Sequence, residues 1–261
     1  MTKALFFDVD GTLVSFKTHK IPQSTIDALT EAKRNGAGIY ISTGRPMRLI
    51  NNLDDIKHLI DGYISATGAC CIIGDKMIKC LTIPDDEARE FVRMSNEMNF
   101  ATLVVGVKEL TVINPNDDVD RLYRGMLNVS YLGEGIDVED VLNEGIIQFT
   151  PIIDVETERM LMPKLSHCVS ARWYPEFADI TARGADKGSA LLTMAEHLGI
   201  DIADTIAFGD GGNDKSIIKA AGTGVAMGNA NDDVKAAADY VTTDVDDNGI
   251  RNALKHFGII Q

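Results

Sequence analysis

Short apolar segments that end directly in acidic or glycine-rich loops are the feature that most constrains the fold of this chain. Ala4–Phe7 is followed at once by Asp8, the segment 205–208 runs into a second acidic loop, and Gly38–Ser42 runs into Thr43. Apolar runs of this length between turn signals are typical of strands buried on both faces. Because helical segments separate them, they predict a parallel sheet covered by helices.

The order of the predicted elements divides the chain into two parts. Strands and helices alternate in the first and last parts, whereas the middle part has an order typical of an antiparallel α+β unit. We therefore predict a Rossmann-like, doubly wound α/β core of residues 1–82 and 183–261, with an inserted α+β domain of residues 83–182. In the core we expect a helix to begin at Arg45-Pro46. In the insertion we expect helices over about residues 85–99, 118–127 and 155–162.

Composition and charge exclude several classes of partner. Lys plus Arg number 25 and Asp plus Glu number 39, which gives a net charge of −14 and argues against binding to nucleic acid or to an anionic membrane. The apolar stretch near the amino terminus is too short for a signal peptide, and acidic residues follow it too soon. No apolar run reaches the roughly 18 residues of a membrane span. We expect a cytoplasmic monomer or small homo-oligomer with reduced, mostly buried cysteines.

The first acidic loop, DVDGT, begins at Asp8, at the edge where open α/β sheets bind their ligands. Asp8 and Asp10 point to one side of an extended chain, and carboxylates this close need a cation or a shared proton. A polar turn after a strand is the plain alternative. A calcium loop is another, but it fails on spacing, because Leu13 and His19 stand where an EF-hand needs Gly and Glu.

The second acidic loop, GDGGND, follows the strand predicted at residues 205–208. Its glycines allow the backbone to approach a ligand closely. In isolation, a simple Gly-Asp turn is the favoured interpretation. Together with Asp8, the loop could supply three or four hard oxygen ligands, which suit Mg²⁺ better than softer metals.

Two weaker signals lie near predicted helix starts. The run Thr43-Gly44-Arg45 offers a hydroxyl and backbone amides ahead of a helix, as in a phosphate cradle, although TG turns are common. Lys187 opposes the dipole of its own helix, which is typical of a capping or surface role. Near a phosphate, however, its charge would neutralise oxygens in a transition state. Walker A, GxSxG, HExxH and kinase motifs are absent.

Four pieces in this order, DVDGT, STGR, the lysine of DKG and GDGGND, resemble the haloacid dehalogenase (HAD) superfamily. The long insertion resembles the large cap of its Cof-type branch, and FADITARGADKGSAL, GVAMGNA and VKAAADYVT are similar to Cof-type sequences. Departures are small: Ser42 stands where alanine is frequent, and Lys215, Ile217 and Ile218 lie in a helix that is often Met-Leu. The resemblance implies an α/β core with a cap and a Mg²⁺-dependent phosphatase activity on a small phosphorylated metabolite.

The resemblance also implies a role for each matching residue. Asp8 would be the nucleophile and a metal ligand. Asp10 would be the general acid and then the general base, with its backbone carbonyl on Mg²⁺. Thr43 would bond the phosphoryl group, and Lys187 would bridge that group to Asp8. The remaining implied roles are Asp210 as a metal ligand, Asp214 as the residue that orients the metal shell, and Asn213 as a contact of the phosphoryl group or the metal.

Sugar phosphates are the substrate class that the resemblance favours, while nucleotides and other phosphorylated metabolites stay open. Gly44 and Arg45 are candidate substrate contacts in the core. In the insertion, Arg172 and Trp173 belong to an Arg-Trp-Tyr-Pro-Glu run that could line a sugar pocket, and an ordinary sheet edge is the alternative. A sugar phosphomutase of the same superfamily is the nearest rival function, and a non-catalytic phosphosugar sensor is a remote one.

Overall fold

The computed structural model of the protein describes residues 3–261, with the exception of the Trp173 side chain. The chain folds into two compact units. The first contains the residues up to Gly44 together with Ile50–Lys79 and Asp186–Gln261. The second contains Arg45–Leu49 and Cys80–Ala185. The second unit therefore consists of one long insertion together with a short segment that follows the second strand.

The chain contains strands and α-helices throughout. The strands are β1 Ala4–Phe7, β2 Gly38–Ser42, β3 Gly62–Ser65, β4 Cys70–Ile73, β5 Lys76–Cys80, β6 Thr102–Gly106, β7 Leu110–Ile113, β8 Ile146–Pro151, β9 Cys168–Tyr174, β10 Phe177–Ala182, β11 Thr205–Gly209, β12 Thr223–Ala226 and β13 Tyr240–Val241. The α-helices are α1 Gln23–Arg34, α2 Asp85–Met98, α3 Asp117–Val119, α4 Val138–Asn143, α5 Val155–Leu161, α6 Lys187–Leu198, α7 Lys215–Ala220, α8 Asp232–Lys235 and α9 Gly249–His256.

Strand β1 lies inside an eight-stranded sheet whose order is β13-β12-β11-β1-β2-β3-β4-β5. From β13 to β3 each neighbouring pair is parallel, and β4 is antiparallel to β3. The chain leaves β1 for β2 on one side and later returns to β11 on the other, so the strand order reverses at β1. Open α/β sheets bind ligands at such a reversal, outside the carboxyl ends of the strands.

Helices cover both faces of this sheet because its central strands are apolar at successive positions. Phe7 lies in a core with Leu29 of α1 and Leu254 of α9. Phe6 points to the opposite face, as the two-residue period of a strand requires, and lies in a core with Leu191 of α6. Each such side chain contributes roughly 1.5–3 kcal/mol when fully buried, so β1 is fixed firmly where Asp8 leaves the sheet.

The second unit has a five-stranded antiparallel sheet of order β7-β6-β8-β10-β9. Phe149 of β8 pairs in register with Ile180 of β10, and both lie in the apolar core of this unit. Phe91 of α2 stacks on Phe149 with ring centroids 4.4 Å apart. The aromatic pair fastens the helix to one face of the sheet.

The parallel core confirms the α/β fold class predicted from the sequence. The helix predicted to begin at Arg45 is wrong, because β2 and β3 are joined through 3₁₀ turns at Met47–Leu49 and Lys57–Leu59. Asn51 and Asn52 lie between these turns, and amide side chains compete with helices for backbone hydrogen bonds.

The predicted helix over residues 118–127 is present but irregular, since Asp120–Met126 forms a π-helix that continues α3. Helix α4 was not predicted. The predicted thiols are free, and Cys70, Cys71 and Cys168 are buried. Within residues 3–261, none of the helices combines the length and the hydropathy that crossing a bilayer requires.

Candidate active site

The first acidic loop is a compact turn at the end of β1. The Asp8 amide donates to the Phe208 carbonyl at 3.0 Å, which continues the parallel pairing by one residue. The amides of Leu13 and Val14 both donate to the Val9 carbonyl, at 3.0 and 2.8 Å, and so fold the chain back on itself. The buried Asp8 carboxylate is thereby held at the carboxyl edge of the sheet.

Gly11 allows this turn to meet the second acidic loop. Its φ of +86° lies in the left-handed region that favours glycine. A Cβ at this position would lie 2.3 Å from Oδ2 of Asp210, so a larger residue would displace that carboxylate. The neighbouring Thr12 donates from Oγ1 to Oδ1 of Asp210 at 2.9 Å. The structure therefore brings together the two loops that are far apart in sequence.

The second loop is organised by the Asp214 carboxylate. Its Oδ2 accepts hydrogen bonds from the amides of Asp210 and Gly211, at 3.1 and 2.9 Å. Gly209 makes room for it, because a Cβ there would lie 2.4 Å from the Asp214 Cβ. Asn213 is half-buried in the same turn, and its Oδ1 would lie 2.7 Å from a Cβ added to Gly211. Asp214 thus shapes the loop with one oxygen and turns the other towards Lys187.

Lys187 joins the two loops. It is the first residue of α6, whose start is capped by Asp186 accepting the Ser189 amide at 2.9 Å. Its Nζ donates to Oδ1 of Asp8 at 2.7 Å and to Oδ1 of Asp214 at 2.5 Å, and its side chain is 0% exposed. Burial disfavours the charged lysine, but the charges of Asp214 and Asp8 outweigh it and raise the pKa of Lys187.

The carboxylates of this site repel one another. Burial and then the charge of Asp214 raise the pKa of Asp8 well above its ordinary value, although Lys187 opposes the shift. The same two causes raise the pKa of Asp210 to about 7. The half-buried Asp10 adds repulsion to both. The protein alone therefore holds these groups at an electrostatic cost that a cation would offset.

A divalent cation fits this donor set. Asp8, Asp210 and Asp214 each offer one carboxylate oxygen, and these oxygens lie within 4.8 Å of one another. Hard cations with flexible or octahedral oxygen shells use such carboxylates. Lys187 supplies one positive charge against several negative ones, which leaves room for a second cation. The structure thus provides a site that could hold a metal ion.

Thr43 lies at the same edge of the sheet. Phe7 of β1 pairs in register with Ile41 of β2, so Asp8 and the residues after Ile41 leave the sheet side by side. The Thr43 amide donates to the Ile64 carbonyl at 2.9 Å, and the residue is buried. Gly44 follows it and is half-buried.

The remaining predicted contacts lie in the second unit. The buried guanidinium of Arg45 donates to the carbonyls of Leu49 and Leu127, at 3.1 and 3.0 Å. The guanidinium of Arg172 donates to Glu158 at 2.8 Å and to neighbouring backbone carbonyls. Both side chains are therefore engaged in contacts within this unit. The side chain of Trp173 lies outside the described part of the structure.

Two polar residues that the sequence analysis did not single out also hold the site. Thr12 orients Asp210, as described above. Asn229, in the loop after β12, donates from Nδ2 to the Gly11 carbonyl at 2.8 Å, while its Oδ1 accepts the Val245 amide at 3.0 Å. The available sequence signal was its place in GVAMGNA, a segment similar to Cof-type sequences, at the end of an apolar run. The structure shows that this run is β12, the neighbour of β11.

Comparison with known proteins decides the family. A model of the haloacid dehalogenase-like hydrolases matches residues 5–254. The chain is a member of this family. Its long insertion and both acidic loops are included in the match.

Relatives of this HAD-like hydrolase span its whole length. YkrA of Bacillus subtilis (strain 168) is 31% identical over 267 residues, covering 100% of this chain and 99% of YkrA. The solved structure of the HAD subclass IIB sugar phosphatase BT4131 is 45% identical, with a TM-score of 0.93 over 99% of this chain and 100% of that chain. The phosphatase BT1666 of Bacteroides thetaiotaomicron is 37% identical, with a TM-score of 0.88 over 100% of this chain and 96% of that one. This HAD-like hydrolase is an enzyme of the phosphatase class.

Proposed function

We propose that this enzyme is a Mg²⁺-dependent phosphatase that hydrolyses sugar phosphates through an aspartyl-phosphate on Asp8. The observation that carries the proposal is the buried ion pair of Lys187 with Asp8, at 2.7 Å, inside the carboxylate cluster. A carboxylate attacks a phosphate ester poorly, because both are negatively charged. A fixed cation beside the carboxylate removes that obstacle and orients the nucleophile.

In the first half of the reaction, a carboxylate oxygen of Asp8 attacks the phosphorus in line with the ester oxygen. The bond from phosphorus to the ester oxygen breaks as the bond to Asp8 forms. Asp10 gives its proton to the leaving alcohol. Lys187 stays on the Asp8 carboxylate and faces the equatorial phosphoryl oxygens, and Thr43 donates a hydrogen bond to one of them.

In the second half, water attacks the same phosphorus from the side that the alcohol vacated. Asp10, now ionised, takes a proton from that water, and the bond between phosphorus and Asp8 breaks. Inorganic phosphate leaves and the Asp8 carboxylate is restored. Two modest barriers replace the single high barrier of direct hydrolysis.

Asp8, Asp210 and Asp214 would hold Mg²⁺ together with the backbone carbonyl of Asp10. When bound, Mg²⁺ neutralises charge on the carboxylates and on the phosphoryl oxygens. Thr12 and Lys187 keep the ligand oxygens oriented through their hydrogen bonds to Asp210 and Asp214.

The substrate class rests on similarity to a known sugar phosphatase. BT4131, with 45% identity over nearly the whole chain, is such an enzyme. Gly44, Arg45, Asn213, Arg172 and Trp173 remain predicted substrate contacts.

Phosphate release from an aryl phosphate and from a panel of hexose phosphates, with Mg²⁺ or with EDTA, tests this proposal. We expect Mg²⁺-dependent release, and we expect Asp8→Asn to lose at least about 10³-fold in kcat while it stays folded. Near-normal turnover by Asp8→Asn would refute the covalent mechanism. A preference for other phosphate esters over all hexose phosphates would refute the substrate class.

Hexose 1-phosphate separates this proposal from a sugar phosphomutase. A phosphatase releases inorganic phosphate without a bisphosphate activator, whereas a mutase exchanges isomers without release. A non-catalytic sensor would bind the sugar phosphate but would hydrolyse neither the aryl phosphate nor the hexose phosphates.

A further inference from the structure

The turn between β3 and β4 has an unusual backbone. Ala66, Thr67 and Gly68 have successive φ values of 49°, 52° and 96°. The left-handed region is common for glycine but rare for a β-branched residue such as threonine. Residues held in this way cluster at binding and active sites, where the surrounding structure fixes them. The backbone conformation of this turn therefore indicates a role in addition to joining β3 and β4.

This turn touches two elements that carry site residues. The Thr67 amide donates to the Thr43 carbonyl at 3.2 Å. Gly68 packs against the helix cap before Lys187, because a Cβ on Gly68 would lie 2.3 Å from the Asp186 carbonyl oxygen. Thr67 is thus placed beside the segment that we propose to bind the phosphoryl group, at the end of the strand next to β2.

The Thr67 hydroxyl is buried without a hydrogen-bond partner among the described residues. The residue is 5% exposed. A buried hydroxyl without a partner is costly, and native proteins rarely keep one without a reason. Ser42 and Ser65 also have hydroxyls of this kind, but they lie within their strands, whereas Thr67 lies beyond the end of β3.

We propose that the Thr67 hydroxyl is a further binding group of the active site, which donates a hydrogen bond to the phosphate group of the substrate and of the product. This inference rests on the proposed function, since it assumes that the phosphoryl group lies beside Thr43. The bound phosphate gives the hydroxyl the partner that the free protein does not. A hydrogen bond to a charged oxygen is among the stronger ones in proteins.

Thr67→Val tests the inference, because valine keeps the shape and the β-branch and removes only the hydroxyl. Thr25→Val is the matched control, since Thr25 also has a buried hydroxyl without a described partner but lies in α1. Thr67→Ser restores the hydroxyl. Calorimetry measures the binding of inorganic phosphate in the presence of Mg²⁺. Steady-state kinetics with an aryl phosphate give KM and kcat. Thermal unfolding without phosphate gives the thermal midpoint.

We expect Thr67→Val to bind phosphate about 10- to 100-fold more weakly and to raise KM, with a thermal midpoint equal to or above that of the parent. Thr67→Ser should bind within about threefold of the parent, and Thr25→Val should bind like the parent. Unchanged phosphate affinity in Thr67→Val would overturn the inference, and so would a lower thermal midpoint, because the hydroxyl would then be structural.

The two proposals fail in different ways. If the parent releases phosphate from esters and Thr67→Val has the parent's affinity, this inference fails and the proposed function stands. If the parent releases no phosphate but Thr67→Val still weakens the binding of inorganic phosphate, the proposed function fails and the binding role of Thr67 stands.

Discussion

Replacing Lys187 by methionine is the sharpest test of how the site is held together, because the chain contains a matched ion pair on its surface. Lys187 lies 2.7 Å from Asp8 with 0% of its side chain exposed. Lys215 lies 2.7 Å from Asp233 with 41% of its side chain exposed. The two pairs share residue types and distance and differ in burial. Methionine keeps most of the volume and removes the charge.

Burial decides how much stability each substitution should remove. Breaking a buried pair costs about 3–5 kcal/mol, because it leaves an uncompensated buried charge, and Lys187 has two carboxylate partners. An exposed pair is worth about 0–1 kcal/mol. For a protein of this size, 1 kcal/mol corresponds to roughly 2–4 °C in Tm, so Lys187→Met should lower Tm by about 6–20 °C and Lys215→Met by less than about 4 °C.

The assays are thermal unfolding for Tm and urea unfolding for the free energy, both followed by circular dichroism at pH 8 in EDTA, with both variants and the parent measured together. We expect Mg²⁺ to restore part of the loss in Lys187→Met, since a cation replaces some of the missing positive charge. If both variants lost the same free energy of unfolding, and less than about 1 kcal/mol, the buried lysine would not be balancing the charge of the carboxylates.

Three further changes test other parts of the structure. Burial and repulsion raise the pKa of Asp210 from 3.8 to about 7, so the stability linked to its protonated form is present below about pH 4 and is lost as pH rises through 7. Asp210→Asn should therefore become more stable than the parent by on the order of 4 kcal/mol between pH 4 and pH 8 in EDTA, and a pH-independent difference in urea unfolding would contradict this. Gly11→Ala should lower kcat/KM by at least about tenfold, because its Cβ would displace the Asp210 carboxylate; kinetics like those of the parent would contradict the close approach of the loops. Tyr123→Phe should cost about 1 kcal/mol in urea unfolding and leave KM unchanged, because its hydroxyl donates to the Thr150 carbonyl inside the second unit; a raised KM would give that hydroxyl a role in substrate binding.

The local sequence pattern was sufficient to predict the helices whose ends are marked by capping residues. The predicted helix over residues 85–99 is observed at Asp85–Met98, where Asn99 ends it in the left-handed conformation at φ 56°. The predicted helix over residues 155–162 is observed at Val155–Leu161, where Asp154 caps its start by accepting the Thr157 amide at 2.8 Å. Apolar runs and end residues act through neighbouring backbone groups, so the sequence alone contains the signal.

Local pattern failed where distant contacts hold an irregular segment. After β2 the chain forms 3₁₀ turns rather than the predicted helix, and the Arg45 guanidinium bonds the Leu49 and Leu127 carbonyls. The π-helix at Asp120–Met126 was also beyond a prediction based on a period of 3.6 residues.

The sequence by itself determined the chemistry of this protein: an aspartate directly after a buried strand, a second acidic loop after another, and a lysine at a helix start. Only the tertiary structure decided that Lys187 bonds both Asp8 and Asp214, that Gly11 admits Asp210, and that the Thr67 turn lies against Thr43. Residue type sets what a side chain can donate, accept or ionise. The distances and the burial that turn those capacities into shifted pKa values, and into a carboxylate cluster that could hold a cation, arise when distant segments pack around the end of β1.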